Sequence, residues 1–407
     1  MVATHSMNSH SVEVVIVGGG PAGLTAAIAL AGAGVQVALI AKSAGAADNR
    51  TTALLASSVT ALDVLGVWPH CRAQAAPLRV LRIIDDTGRL LRAPEVHFSA
   101  DEIGLDAFGQ NIENRFLVAA LEARARMLPA LTFIADKARA IRIEEDHVAV
   151  ELGSAGTLTA RLAIGADGRR SLCRQAAGIA TDARHYPQTA LTFNLRHQRP
   201  HREASTEFHT EDGPFTLVPL PGLRSSLVLV TNPGGAVRIG GLSNGELAMD
   251  LERRSHSILG TIAPEAGHGA FPLAIETARR FAVGRVALIG EAAHLLPPIG
   301  AQGLNLGLRD AAAIAELVVA ARRAGSDVGA ADLADRYDIS RRADVSSRAL
   351  AVDLVNRSLL TDFLPMQGMR GLGLFLMQHV GPLRRAVMRE GVSPAAAQPR
   401  LMRGEAL

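Results

Sequence analysis

Short apolar runs broken by glycine set the pattern of the first forty positions. Glu13-Val14-Val15-Ile16-Val17 predicts a fully buried strand, which runs into Gly18-Gly19-Gly20-Pro21-Ala22-Gly23 and a helical Leu24 to Ala33. Val35 to Ile40 predicts a second strand. The opening is therefore a βαβ unit, which implies a parallel sheet with helices on both faces. Residues 115–126 show a helical pattern, and 131–135, 147–152 and 157–164 read as strands. The pattern changes over 189–230. There Thr192 to Leu195, Phe215 to Val218 and Leu227 to Val230 are short strands broken by proline and glycine, as in an inserted, mostly antiparallel sheet. A strand returns at Arg285 to Ile289, followed by a helix over 304–323 and a largely helical remainder. The Ala/Pro/Arg-rich tail after residue 391 is expected to fray.

Composition narrows the class. A length of 407 residues suggests two to three domains. With 48% hydrophobic and 20% charged residues, wholesale disorder is excluded. Aromatic residues make up only 3%, too few for a nucleic-acid binder that works by stacking. The net charge is +3, and Lys42 and Lys137 are the only lysines; the arginines are spread along the chain, which reads as compositional bias and not as a polyanion-binding patch. Two cysteines, Cys71 and Cys173, are too few for a disulfide framework or a cysteine zinc site; no metal is expected, and a reducing cytoplasm fits. Residues 1–12 hold no Lys or Arg, so the positive start of a signal peptide is missing. The uncharged stretch between Glu13 and Lys42 is long enough to span a bilayer, but its six glycines and one proline argue against a membrane helix; Gly371 to Leu383 is too short to span.

Those glycines have another use. Gly18-x-Gly20-x-x-Gly23 follows a strand and opens a helix. The first glycine permits a tight turn, the second lets backbone N–H groups approach a pyrophosphate, and the third lets helix and strand pack closely. The helix N-terminus then faces the phosphate charge. The acid expected at the end of the second strand, to hold a ribose, is replaced by Ile40-Ala41-Lys42, so this element alone does not choose between FAD and NAD(P). Two further motifs follow. Gly165-Ala166-Asp167-Gly168-Arg169-Arg170-Ser171 closes a strand with an Asp-Gly turn. Arg285 to Ile289 then delivers Gly290-Glu291-Ala292-Ala293-His294, a Pro297-Pro298-Ile299-Gly300 loop and Gln302-Gly303-Leu304-Asn305, a second glycine-gated helix start. One helix N-terminus suits a pyrophosphate; the other suits an electron-rich ring that gains negative charge on reduction.

These motifs, in this order over residues 12–350, resemble the group A FAD-dependent aromatic hydroxylases with the para-hydroxybenzoate hydroxylase fold. Arg50-Thr51-Thr52-Ala53-Leu54, the stretch ending at Trp68, and Gln110-Asn111-Ile112-Glu113-Asn114-Arg115-Phe116-Leu117 are similar to the ubiquinone-biosynthesis hydroxylase branch. The resemblance implies an α/β fold: a Rossmann-like, mostly parallel FAD-binding domain (1–75, 105–180, 275–350), an inserted, mostly antiparallel substrate domain (76–104, 181–274) and a C-terminal helical segment (351–407). It also implies site roles. Gly18, Gly20 and Gly23 would hold the FAD pyrophosphate, and Arg50 would add a guanidinium near the cofactor. Gln110 would bond the ribityl–flavin region, and Asp167 and Gly168 would contact FAD. Glu291, where the family usually has Asp or Asn, would reach a ribityl hydroxyl. Pro298 and Gly300 would set backbone groups against the reactive face of the flavin and are the catalytic positions implied, with no side-chain base. Gln302, Gly303, Leu304 and Asn305 would aim N–H groups at the flavin N1/C2=O edge. His294 reads as structural and Cys173 as a packed small residue.

The implied reaction takes a hydride from NADPH or NADH onto FAD, forms a C4a-hydroperoxyflavin with O₂, and hydroxylates an aromatic ring. The protein orients the ring and excludes water. His185, Tyr186, His197 and His209 are candidates for a phenol base by location only. Three readings stand: hydroxylation of a prenylated phenol of ubiquinone synthesis; hydroxylation of a small soluble aromatic, or a flavin halogenase or prenyl reductase; and a non-catalytic flavoprotein component of a quinone-biosynthesis complex. The Trp-x-Trp-x-Ile-Pro stretch expected of flavin halogenases is absent. Asn356 to Arg389 mixes apolar residues with Arg370, Arg384, Arg385 and Arg389; it reads as a helical cap on the FAD domain, with docking on the cytoplasmic face of a membrane or on a partner protein as the rival. The scarcity of aromatic residues predicts an aliphatic channel for the substrate, not a cage of rings.

Overall fold

The computed structural model describes residues 10–41, 50–88, 94–154, 156–360, 373, 376, 377, 379–392 and 398–407. Lys42 and Arg370 lie outside them. Strand His10–Val17, uninterrupted β-branched and apolar residues in Val14 to Val17, is buried between two parallel partners, Val37–Ile40 and Thr157–Gly165. Leu131–Ile134 extends the sheet in parallel on one side and Val286–Leu288 on the other. An antiparallel ribbon, Ala138–Ile143 and Val148–Leu152, joins it through Thr157–Gly165. Helix Pro21–Gly32 packs beside Asn114–Ala125 and Gln302–Arg323. Ala22, Leu24, Ile28 and Leu30 of the first helix are all buried, as a helix enclosed by neighbours requires.

A second, eight-stranded sheet runs in the order 294–295, 262–278, 181–197, 224–231, 213–220, 204–210, 80–85, 96–99. Every pairing is antiparallel except that of Ala204–Thr210 with Val80–Asp85. Two 17-residue strands, Thr181–His197 and Ile262–Ala278, pair along most of their length, with register shifts at His185/Thr189 and Phe193/Leu195. One face of this sheet buries Leu191, Phe193, Phe208, Phe215, Leu227 and Leu229 against helices Pro233–Gly240 and Asn244–Arg254. The alternate residues point toward the first domain. A small sheet of Thr51–Leu55, Gly109–Glu113 and Ala75–Pro77 lies between the two. Asn111 crosses from it, its amide donating to the Pro219 carbonyl (2.8 Å) and the Ser226 hydroxyl (3.1 Å).

Two expectations for the C-terminus are corrected. The tail does not fray over 398–407: Leu401 and Met402 are buried, and the Arg400 N–H donates to Glu316 (2.8 Å). Burial of two apolar side chains outweighs the low local propensity. Nor does helix Gly381–Val392 cap the FAD domain alone. Met388 and Val392 join Val96, Phe98 and Phe108 at the edge of the second sheet. Arg384 lies 4.6 Å over the Phe98 ring and forms a paired bond with Glu102 (2.6 Å). An earlier helix, Ala331–Leu360, touches both large sheets: Tyr337 donates to the Leu288 carbonyl (2.8 Å), and Asp353 accepts from Arg184 (2.7 Å) and Tyr186 (2.5 Å).

Candidate active site

Strand register brings the three glycine motifs together. Val17 pairs with Gly165, and Gly165 with Leu288, so the Gly18 turn, the Asp167-Gly168 turn and the Gly290-Glu291 turn leave the carboxyl ends of three adjacent parallel strands. Open parallel sheets bind ligands at that edge.

The three glycines of the first turn differ in what surrounds them. Gly18 has φ +114°, and a Cβ there would meet the Ala166 carbonyl oxygen at 2.2 Å. Gly23 packs on the Gly18 carbonyl, where a Cβ would sit at 2.0 Å. Gly20 meets nothing within 4 Å, so the surface above it is open. Gly20 caps the helix and Pro21 occupies its first position, leaving the Ala22 and Gly23 N–H groups without intrahelical acceptors. That is an anion cradle.

Asp167 is half-buried. Its Oδ2 accepts from the Leu172 and Cys173 N–H groups (2.7 and 3.2 Å), while its Oδ1 is buried with no partner. Arg174 ties this turn to the third one by donating to the Ala292 carbonyl (2.8 Å). Glu291 is exposed and makes no hydrogen bond or ion pair among the described residues. Gln110 is half-buried, and its side chain likewise has none. Arg50 is exposed, with its guanidinium 5.7 Å from the centre of the Phe271 ring on the second sheet. Unpaired acceptors and an open glycine cradle along one edge, with an unpaired amide on the small sheet, fit a large polar cofactor such as FAD.

Pro298 and Gly300 are exposed. Gly300 (φ +64°) and Ala301 (φ +54°) are consecutive left-handed residues, which reverse the chain into helix Gln302–Arg323. No side chain caps that helix, so the Gly303 and Leu304 N–H groups at its start are without helical i−4 acceptors. Asn305 is buried, and its side chain is fully engaged: it accepts from the Leu55 N–H (2.8 Å) and donates to the Ala53 (2.8 Å) and Ala301 (2.6 Å) carbonyls. It therefore clamps the helix start to strand Thr51–Leu55.

Under this edge lies an ion network. Asp310 is fully buried and accepts from the Gly290 N–H (3.0 Å), His294 Nε2 (2.7 Å) and Arg341 Nε (2.7 Å). Burial would raise its carboxyl, but His294, Arg341 and the Gly290 N–H outweigh that and hold it at about 2. Arg341 and Arg309 share Asp344 (2.7 and 2.8 Å). Cys173 is buried, and burial, with Asp167 beside it, pushes its thiol well up, as suits a packed residue. The pairing of Asp310 with Arg341 had no local signal.

Of the candidate bases, His185 is exposed and Tyr186 is held by Asp353. His197 is occupied at both nitrogens, by the Arg199 carbonyl (2.8 Å) and the Ser225 hydroxyl (3.0 Å). His209 is 6% exposed; its Nε2 lies 2.8 Å from Glu207 and its Nδ1 has no partner. Glu207 was not apparent from sequence, although i and i+2 positions on a strand share a face. Between the domains, Arg224 bridges Glu265 (2.8 and 2.7 Å) and the buried Glu113 (3.0 Å), and these hydrogen bonds raise its pKa.

A dinucleotide-type turn, an Asp-Gly turn and a second open helix start on one parallel edge, facing a mostly antiparallel sheet, define a flavin-dependent hydroxylase. The FAD binding domain family matches residues 11–351. The chain is 36% identical to ubiquinone hydroxylase UbiL of Rhodospirillum rubrum, over 96% of this chain and 92% of that one. It is 31% identical to 3-demethoxyubiquinol 3-hydroxylase of Escherichia coli, over 94% and 99%. The fold superposes with a TM-score of 0.79 on p-nitrophenol 4-monooxygenase PnpA from Pseudomonas putida, at 20% identity, covering 95% of this chain and all of that one. The chain belongs to the FAD binding domain family, on the branch that carries the ubiquinone hydroxylases, and is an FAD-dependent aromatic-ring monooxygenase.

Proposed function

We propose that this enzyme hydroxylates the ring of a prenylated phenol in ubiquinone biosynthesis, with NADPH or NADH as donor and O₂ as the oxygen source. The observation that carries this reading is an apolar patch on the face of the second sheet turned away from its helix-covered core. Val218, Val228, Val230 and Ala190 lie on the face that Ser226 presents to Asn111. That face continues to Leu81, Ile83 and Phe98 at the sheet edge, where Met388 of helix Gly381–Val392 packs on it. A ring and a hydrocarbon tail suit such a surface. FAD supplies hydride acceptance and oxygen activation when bound. Gly18, Gly20 and Gly23 would hold its pyrophosphate; Asp167, Glu291 and Gln110 its hydroxyls and ring edge; Arg50 a nearby negative charge. The N–H groups of Gln302 to Leu304 would stabilise negative charge on the ring, with the Pro298 to Gly300 backbone alongside.

The substrate reading extends to a membrane surface. No helix among the described residues is long and apolar enough to cross a bilayer. Leu376, Val380, Leu383 and Val387, spaced four, three and four apart, are nevertheless exposed, beside exposed Arg385 and Arg389. The test is quinone profiling in a strain lacking the gene. One under-hydroxylated prenyl phenol should accumulate and vanish on complementation. An unchanged quinone pool would remove the substrate reading and favour a soluble aromatic. Retention of a Leu383→Asp/Val387→Asp variant on anionic liposomes would remove the membrane part.

A further inference from the structure

We propose that His209, backed by Glu207, accepts the proton of the substrate's ring hydroxyl; this rests on the reading that the substrate is a phenol. The placement follows from strand register. Phe208 and Phe215 point into the helix-covered core, so Glu207, His209 and Thr216 point the other way. Thr216 pairs with Val228, two residues from Ser226, which bonds Asn111 of the cofactor-side sheet. Glu207 is the register partner of Thr216 and accepts its hydroxyl at 3.3 Å. The two residues therefore sit on the face the substrate would occupy, next to the apolar rows that suit its ring.

The chemistry of the pair is that of an oriented base. A carboxylate 2.8 Å from Nε2 favours the tautomer protonated at Nε2, which leaves the Nδ1 lone pair free. That Nδ1 is buried with no partner, an unmet hydrogen-bonding capacity that a substrate hydroxyl would satisfy. The other nearby carboxylates are engaged. Asp85, beside His209 on the adjoining strand, accepts from Thr87 (2.6 Å), Asp212 from Thr231 and Asn232 (3.3 Å each), and Asp353 from Arg184 and Tyr186. In the step, the phenol O–H bond breaks, an Nδ1–H bond forms, and the electron pair stays on the oxygen and enriches the ring. The imidazolium is neutralised by Glu207, and no electrons change hands. Within the candidate set this separates His209 from His197, whose nitrogens are both occupied.

The test uses the FAD-loaded enzyme and two readouts. Bound 4-nitrophenol, at a pH below its solution pKa, should show the phenolate band in the wild type and lose it in His209→Gln. With a short-chain prenylphenol, His209→Gln should retain its flavin and its donor-driven flavin reduction, yet form product about 100-fold more slowly. The deficit should narrow at alkaline pH, where the phenol ionises unaided; a merely structural role would not move with pH. Glu207→Gln should fall between. A wild type without the band, or His209→Gln with the band and wild-type turnover, overturns the proposal. A wild type that shows the band but hydroxylates no phenol counts against the reaction reading and leaves the proton acceptor standing. Should His209→Gln lose flavin, the band in Glu207→Gln decides: full intensity there overturns the pair.

Discussion

Replacing Asp310 with alanine tests whether one buried carboxylate holds the Gly290 turn and the ion network under the cofactor edge. Removing one partner of a buried ion pair costs about 3–5 kcal/mol, because the other charge is left unpaired. Arg341 would keep Asp344 at 2.7 Å, which places the expected cost at the lower end, about 3 kcal/mol. Proton linkage offers a separate figure. The carboxyl is held at about 2 in the folded protein, against an ordinary 3.8. That depression corresponds to roughly 2–3 kcal/mol. Because the folded state binds this proton less tightly than the unfolded chain, the stabilisation is complete above about pH 5 and is lost as the pH falls through about 2. The assay is urea unfolding followed by circular dichroism and flavin fluorescence, comparing wild type with Asp310→Ala at several pH values. The difference should be about 3 kcal/mol at pH 7 and about 2 kcal/mol at pH 3. A variant as stable as wild type at pH 7, or a gap that does not shrink in acid, would refute the reasoning.

Gly18→Ala, whose Cβ would sit 2.2 Å from the Ala166 oxygen at φ +114°, should yield little folded, flavin-bound protein on purification. Gly20→Ala meets nothing within 4 Å, so its melting temperature without cofactor should match wild type while FAD titration shows at least tenfold weaker binding. Asn305→Ala removes three hydrogen bonds, two of which join the long helix to strand Thr51–Leu55, and should cost about 2–3 kcal/mol in chemical denaturation. Arg384→Ala loses the Glu102 pair and the Phe98 contact; limited proteolysis should then cut the C-terminal segment faster while flavin content is unchanged.

Much of the cofactor side was legible. The apolar run before Gly18 predicted a buried strand, and the glycine spacing predicted the turn that follows it. The strands over 131–135, 147–152 and 157–164 match observed ones within a residue or two. The second sheet was only partly visible. Ile262–Ala278 contains two prolines and two glycines and has little apolar alternation, yet it pairs along Thr181–His197 because the partner, not local propensity, supplies its hydrogen bonds. Strands Thr51–Leu55 and Gly109–Glu113 lay inside motifs recognised for their residue types, and polar side chains hid their extended pattern. On the site side, Asn305 was expected to present its backbone; its side chain turned out to be the clamp.

By itself the sequence determined what short-range sterics and periodicity control. Glycines at 18, 20 and 23 allow one tight turn and one close helix, and four-residue apolar runs bury as parallel strands. The glycine constraints act within a few residues and need no partner. Tertiary structure decided which distant groups share a buried environment. Asp310 meets Arg341, Asn111 meets Ser226, and His209 faces the same space as Val228 and the cofactor-side sheet. Those juxtapositions depend on strand register and helix docking, and a one-residue slip would turn each strand's side chains to the opposite face. The three glycine motifs could be read one at a time, but only the parallel pairing of Val17 with Gly165 and of Gly165 with Leu288 makes them one site.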